Sequence, residues 1–225
     1  FSRLKYMLYG ASPIPAALLK ECIDVFKCGF VQLYGMTETC GFCTSMPPDR
    51  IKIGTAGVRA QGTEIRLGDD NEVLVRGPNV FAGYWRRPEL TATEFTADGF
   101  FRTGDVGTWD ADGYLHIVGR SKDLIISGGL NVYPKEVEDV IDRLPGVLES
   151  AVIGVPDADF GEAVVAVVVP LDDVRLEADE LRAAARAHLA PFKVPRRVEV
   201  VAALPRNAMG KVEKAALRRE YGGGS

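Results

Sequence analysis

The sequence lacks any apolar run approaching the roughly 20 residues a helix needs to cross a bilayer. The longest, Ala163 to Val169, has the length of a strand and ends at Pro170. Histidine is nearly absent. His116 and His188 are too few for a histidine-based centre, and their places in a hairpin strand and on a helix suit structural roles. Cysteine is confined to the first quarter, at Cys22, Cys28, Cys40 and Cys43. The pair Cys40 and Cys43 has no second close pair to complete a zinc site, so ordinary reduced thiols are expected. There is no excess of positive charge: the net charge is −4, which gives no electrostatic reason to expect nucleic acid as a partner. The start has neither a signal-peptide profile nor an initiator Met and reads as a chain entered in mid-domain. Two phosphate-loop fingerprints are also missing. Ser127-Gly128-Gly129 has no helix start close behind it, and Gly210-Lys211 is followed by Val212 rather than Ser or Thr.

What is present is an ordinary globular composition, 47% hydrophobic and 26% charged over 225 residues, enough for one large domain or two small ones. The texture changes three times. Leu4 to Tyr9 reads as a strand, followed by a helix with Pro15 in its first turn, ending near Phe26 and carrying Leu18, Leu19, Cys22 and Phe26 at helical spacing. With a strand at Phe30 to Leu33 this is a strand-helix-strand unit of a parallel sheet, the remnant of an α/β subdomain over residues 1–53. Residues 54–121 form a small antiparallel, barrel-like region. Its strands are Glu64 to Leu67, Glu72 to Arg76, Val106 to Trp109 and Tyr114 to Val118, with reversals at 69–71 and 110–113.

Residues 122–221 read as a compact α+β domain. A strand from Leu124 to Ser127 precedes a helix opened by Pro134 with Val137, Val140, Ile141 and Leu144 on one face. Strands at Ser150 to Val155 and Ala163 to Val169 follow, then a helix from Ala178 to Leu189, a strand at Arg197 to Val201 and a helix from Lys214 to Tyr221. Residues 222–225 are expected to be a flexible tail or appended linker.

Four stretches carry chemistry. Tyr-Gly-Met-Thr-Glu-Thr at 34–39 is either a strand leaving a sheet or a ligand loop at a strand's carboxyl end. There Thr37 can donate to phosphate and Glu38 can hold a hard cation through oxygen. Asp105, after Thr103-Gly104, either caps the turn before the hairpin or accepts the hydroxyls of a ribose. Gly128-Gly129 is a glycine turn, and Lys211 by itself is a surface lysine.

In this order the stretches resemble the adenylate-forming superfamily, and within it the acyl-CoA synthetases. The motifs are Tyr-Gly-Met-Thr-Glu-Thr, Phe-Arg-Thr-Gly-Asp, Gly-Arg-Ser-Lys-Asp, Ser-Gly-Gly-Leu-Asn-Val-Tyr-Pro and Pro-Arg-Asn-Ala-Met-Gly-Lys, and the likeness covers nearly all of residues 1–221. The resemblance implies that residues 1–121 are the C-terminal part of a large AMP-binding domain and 122–221 a mobile C-terminal lid. It implies ATP/AMP, Mg²⁺ and coenzyme A as cofactors and co-substrates, a small carboxylic acid as partner, and a cytoplasmic ligase of the fatty-acyl or malonyl type. Gly10, Ala11, Ser12, Tyr34 and Gly35 would lie against adenine. Thr37 would meet the α-phosphate, Glu38 the metal, and Asp105 with Arg120 the ribose. Lys122 would be the hinge, Gly128 and Gly129 the passage for the pantetheine arm, and Lys211 the lysine of adenylate formation. The Ser/Thr/Gly-rich phosphate-gripping loop and most of the acyl pocket would lie upstream of Phe1, and the loop at 69–72 is shorter than usual for the family. Two other readings fit the same residues, a binding module without chemistry and an adenylation domain that serves a carrier protein.

Overall fold

The computed structural model describes residues 3–10, 14, 16–208 and 210–223. The chain divides into two compact units, Phe1–Ile117 and Val118–Ser225, each with its own apolar core.

In the first unit, β1 (Tyr6–Gly10) and β2 (Gly29–Tyr34) pair in parallel, joined by α1 (Ala16–Phe26). This is the expected strand-helix-strand unit. On α1 Leu19 is buried, whereas Leu18, assigned to the same apolar face, is 47% exposed. At 100° per residue two adjacent leucines cannot both face one sheet, and the buried side follows Leu19 with Phe26 half-buried behind it. Two strands too short to show a period extend this sheet, β3 (Thr44–Ser45) pairing antiparallel with β2 and β4 (Val58–Arg59) antiparallel with β3.

A second sheet follows as an antiparallel meander of β5 (Glu64–Leu67), β6 (Glu72–Arg76), β7 (Phe101–Trp109) and β8 (Leu115–Arg120), the last three residues of β8 being counted with the second unit. Its reversals fall where Asx and Gly residues were expected to turn, with Asn71 at φ 59° and Gly113 at φ 78°. Between β6 and β7 lies α2 (Pro88–Glu94), which buries no side chain and so carried no periodic signal. The β7–β8 turn is braced by Asp110, which accepts from Lys52 Nζ at 2.7 Å and from the backbone N–H of Tyr114 at 2.9 Å, and lies 3.0 Å from His116 Nε2. The lysine holds the Asp110 carboxyl well below the usual range. The unit's core joins Cys43 and Ala56 of the first sheet's loops to Val73, Val75 and Leu115 of the second, with Tyr34 packed against it.

In the second unit a short 3-10 turn, Ser121–Asp123, precedes the hairpin β9 (Ile125–Ser127) and β10 (Leu130–Val132). Then come α3 (Pro134–Ile141), β11 (Val147–Asp157), β12 (Gly161–Pro170), α4 (Ala178–Arg186), β13 (Arg197–Val200) and α5 (Lys214–Tyr221). β12 pairs antiparallel with β11 along its length, parallel with β13, and through Gly161 with Ser127 of β9. The run Ala163 to Val169 is apolar throughout because both faces of β12 are covered. Val164, Ala166 and Val168 pack with α3 and α4 residues such as Val137, Ile141, Leu181 and Ala185. Ala163, Val165, Val167 and Val169 pack with Leu204 and with Leu217 of α5. α4 ends at Arg186 rather than Leu189, since the Ala187 and His188 N–H groups tighten to bonds three residues back, onto the Ala184 and Ala185 carbonyls, and Pro191 follows.

Ile153 on β11 is fully buried, whereas Leu148 on the same strand is 52% exposed. Ile153→Ala is therefore expected to cost about 2–5 kcal/mol in urea unfolding and Leu148→Ala about 0.5 kcal/mol or less. Equal losses would contradict this account of the core.

Candidate functional site

The loop that leaves β2 turns because Gly35 has no side chain. A Cβ there would sit 2.5 Å from Phe42 Cα and 2.8 Å from Thr39 Oγ1. Thr39 is buried and exchanges hydrogen bonds of 3.0 Å with the backbone N–H and carbonyl of Met36. Cys40 then takes the left-handed conformation, φ 48°. That closure turns the two residues before Thr39 outward: Thr37 is exposed and Glu38 half-buried. Glu38 is steadied from a distant loop, where Tyr84 Oη donates to its Oε1 at 2.9 Å and Phe81 N–H donates to its carbonyl at 2.8 Å. Asn79 donates to the carbonyls of Thr39 and Phe42 at 3.1 and 3.2 Å. Burial first, and then the Glu38 carboxyl, push the Tyr84 phenol up to about 12.

Asp105 does not cap a turn. It lies within β7, which begins five residues earlier than the pattern suggested because Gly104 makes a bulge rather than a strand start. Glu72 pairs with Val106 and Leu74 with Arg102, so two extra residues are accommodated on β7 opposite Val73. Gly104 at φ 69° makes this possible. Its N–H donates to Glu72 Oε1 at 3.1 Å, and Thr103 Oγ1 donates to the Val73 carbonyl at 2.8 Å. The bulge aims the Asp105 side chain, 5% exposed, at β2, where Tyr34 Oη donates to its Oδ2 at 2.7 Å. Cys43 lies beside both and donates weakly to the Tyr34 carbonyl at 3.5 Å. Burial, with Asp105 adding to it, raises the Tyr34 phenol well above its ordinary value and the Cys43 thiol to about 12.

The first unit thus brings Tyr34, Gly35, Glu38 and Asp105 together, with Thr37 at the tip of the same loop. Gly10 ends β1 opposite Leu33, whose carbonyl a Cβ would meet at 2.5 Å. Ala11 and Ser12, expected beside it, lie outside the described residues. Glu72, Asn79 and Tyr84 were missed from the sequence. Nothing in their local pattern distinguishes them, apart from a glycine within a strand as the sign of the bulge.

The other expected residues lie in the second unit. Arg120 ends β8 and Lys122 sits in the 3-10 turn, both exposed. Asp123 of that turn accepts from Arg218 of α5 at 2.7 Å. Gly128 and Gly129, at φ 58° and 77°, are the two central residues of the β9–β10 hairpin, the geometry of a type I′ turn. Lys211 is exposed on a loop whose backbone is fixed: its N–H donates to Asn207 Oδ1 at 3.0 Å and its carbonyl accepts from Asn207 N–H at 2.9 Å. Arg206 donates to the Gly210 carbonyl at 2.6 Å and pairs with Glu149. Just beyond, Lys214 Nζ donates at 2.6 Å to Glu138, whose buried carboxyl also accepts the Val152 N–H at 2.9 Å.

Family models describe residues 1–85 as "AMP-binding enzyme" and residues 136–211 as "AMP-binding enzyme C-terminal domain". The chain belongs to the AMP-binding enzyme family. It is 46% identical to a feruloyl-CoA synthase of Amycolatopsis over 98% of its own length and 47% of that protein's. It is 38% identical to a 2-succinylbenzoate–CoA ligase of Listeria monocytogenes over 97% of its length and 46% of the ligase's. The chain therefore spans about half the length of the curated relatives it matches. ATP-bound MatB from Rhodopseudomonas palustris superposes with a TM-score of 0.90 at 45% identity, over 96% of this chain and 45% of that one. The o-succinylbenzoate CoA synthetase of Bacillus subtilis, in complex with its acyl-adenylate intermediate, gives 0.83 at 35% identity, over 98% and 46%.

A group whose proton is held more tightly in the folded chain adds stability that is complete below its ordinary pKa and declines above it. Tyr34 ordinarily ionises near 10.0, so stability should fall as pH rises past that value. Tyr34→Phe should make the alkaline decline shallower in denaturant titrations. An unchanged slope would contradict the placement of Tyr34 against Asp105.

Proposed function

We propose that the chain is the carboxyl-terminal half of an ATP-dependent acid–thiol ligase, converting a carboxylic acid to an acyl-adenylate and then to an acyl-CoA. The observation that carries this reading is the pairing of Tyr34 with Asp105 beside the outward loop of Thr37 and Glu38, together with a lysine on a backbone-fixed mount in a second unit. The relatives named above support it: two are CoA-forming by name, one neighbour holds ATP and another an acyl-adenylate.

In this reading the ring of Tyr34, with Gly10, Ala11, Ser12 and Gly35, forms the surface for adenine, and Asp105 with Arg120 accepts and steadies the ribose. The substrate carboxylate attacks the α-phosphorus, a P–O bond forms, and pyrophosphate leaves with the electron pair of the bond that breaks. Two anions must approach, so the Lys211 ammonium offsets their repulsion and the charge that develops, while Thr37 donates to the α-phosphate. Glu38 suits Mg²⁺. It offers carboxylate oxygen at a half-buried edge. One carboxylate with phosphate oxygens and water is the coordination Mg²⁺ prefers, and the bound ion supplies charge neutralisation. The thiol of CoA then attacks the acyl carbonyl, the C–S bond forms, AMP leaves with the electron pair of the C–O bond that breaks, and the thiol proton passes to solvent. Lys211 has no task in that step. A turn about Lys122 would exchange it for the Gly128–Gly129 hairpin, so that one lid serves both reactions.

The relatives' names attach the same half-chain to feruloyl and 2-succinylbenzoyl groups. This half accordingly carries chemistry common to different acids, and most of the pocket that chooses the acid, fatty-acyl or malonyl-type, is expected outside it. The ATP and CoA requirements fit a cytoplasmic enzyme, and no helix among the described residues is long and apolar enough to cross a membrane.

Two outcomes test the reading. The chain alone should show little or no ATP–pyrophosphate exchange, and normal turnover would contradict that. In a full-length ligase carrying this half, Lys211→Ala should slow adenylate formation by about a hundredfold or more while sparing thioester formation from supplied acyl-adenylate. Equal loss of both half-reactions would overturn the assignment of Lys211.

A further inference from the structure

Ile125 and Val132 root the Gly128–Gly129 hairpin in the core of its unit, and its tip is tied by the turn between β11 and β12 together with the first residues of β12. Gly128 N–H donates to the Phe160 carbonyl at 2.8 Å. Ser127 bridges to Gly161, and Ile126 N–H donates to Glu162 Oε2 at 2.8 Å. The segment is itself shaped by Asp157, whose Oδ1 accepts the N–H groups of Asp159 and Phe160 at 3.0 Å each. Gly154 leaves the room that Glu162 needs, since a Cβ there would stand 2.7 Å from Glu162 Oε1.

The Phe160 ring lies against Gly128, where an added Cβ would come within 3.1 Å of Phe160 Cδ1. The Arg196 guanidinium stacks on the same ring, 3.5 Å from its centroid, and the Arg196 backbone N–H is pinned to the Val164 carbonyl of β12 at 2.8 Å. A ring that is 37% exposed beneath an exposed cation gains little stability from the stack. Its geometric consequence is larger: a two-residue turn of glycines has no side chains of its own to fix its place, and this stack fixes it from outside.

We propose that Phe160, Glu162 and Arg196 are positioning residues for the thioester-forming step, holding the Gly128–Gly129 turn where the thiol arm must pass. The inference rests on the reading above that this turn lines the thiol's path. The residues touch neither nucleotide nor lysine loop in that scheme, so their effect should be confined to the second half-reaction.

The test uses a full-length ligase carrying this half, with Phe160→Ala, Glu162→Ala, the conservative Phe160→Tyr, and Gly129→Val as a marker of the turn itself. Misplacing a reacting group by about 1 Å costs up to about a hundredfold, so kcat/KM for CoA should fall about ten- to a hundredfold in the two alanine variants. ATP–pyrophosphate exchange should stay within about twofold of the parent, and Phe160→Tyr should restore the CoA step. In the chain studied alone, amide hydrogen exchange of Ile126 and Gly128 should quicken in Glu162→Ala and Phe160→Ala respectively. An unchanged CoA step in the alanine variants, with loss in Gly129→Val, would overturn the inference and leave the ligase reading standing. An unchanged step in Gly129→Val would remove the role of the turn and the inference with it. Equal loss of both half-reactions would mean a structural role only and would also overturn it.

Discussion

The bond from the Tyr34 phenol to the Asp105 carboxyl, 2.7 Å long across 71 residues of sequence, is the constraint on which the first unit depends. It joins the end of a parallel strand to the middle of an antiparallel one, so two sheets of different origin share a corner. A carboxyl group buried to 5% exposure without such a donor would be costly to hold there, whereas a charge-assisted partner offsets that cost. The glycines around it follow from the bond. Gly104 lets β7 bulge toward β2, and Gly35 lets the chain leave β2 without striking Phe42. Cys43 fills the space beside the pair as a small apolar residue whose burial keeps it protonated.

The second unit solves a different problem. Its central strands, β11 and β12, are covered on both faces, and its polar turns are joined to them by short ties. The Lys211 loop is held through Asn207, Arg206 and the Lys214–Glu138 pair, and the glycine hairpin through Phe160 and Glu162. In both cases the backbone is fixed and the working element is left exposed.

Much of this was legible in the sequence wherever a physical signal was long or local. The run Ala163 to Val169, the helix face of Val137, Val140 and Ile141, and the Asx-Gly reversals each carry their own cause. The family resemblance was legible because its motifs are short, polar and ordered. Other features were not, for identifiable reasons. Strands of two or three residues such as Thr44–Ser45 and Leu130–Val132 have no period to read. Leu18 and Leu19 are equally apolar, and only the position of the sheet decides between them. Asp105 read equally as a turn cap and as a ligand group, because the bulge that sets its direction depends on Glu72, 32 residues away along the chain, which accepts the Gly104 N–H. Tyr84 and Glu38 meet through tertiary structure alone.

In the function proposed, the corner at Tyr34 and Asp105 receives a ribonucleotide. Calorimetric titration of AMP into the chain tests it most directly, with the Asp105→Asn variant and with an AMP lacking the ribose 2′-hydroxyl as the two comparisons. The account predicts saturable binding of AMP that weakens by about tenfold in each comparison, the worth of one hydrogen bond to a charged group. Binding of AMP and its deoxy form with equal affinity, unchanged by Asp105→Asn, would contradict it.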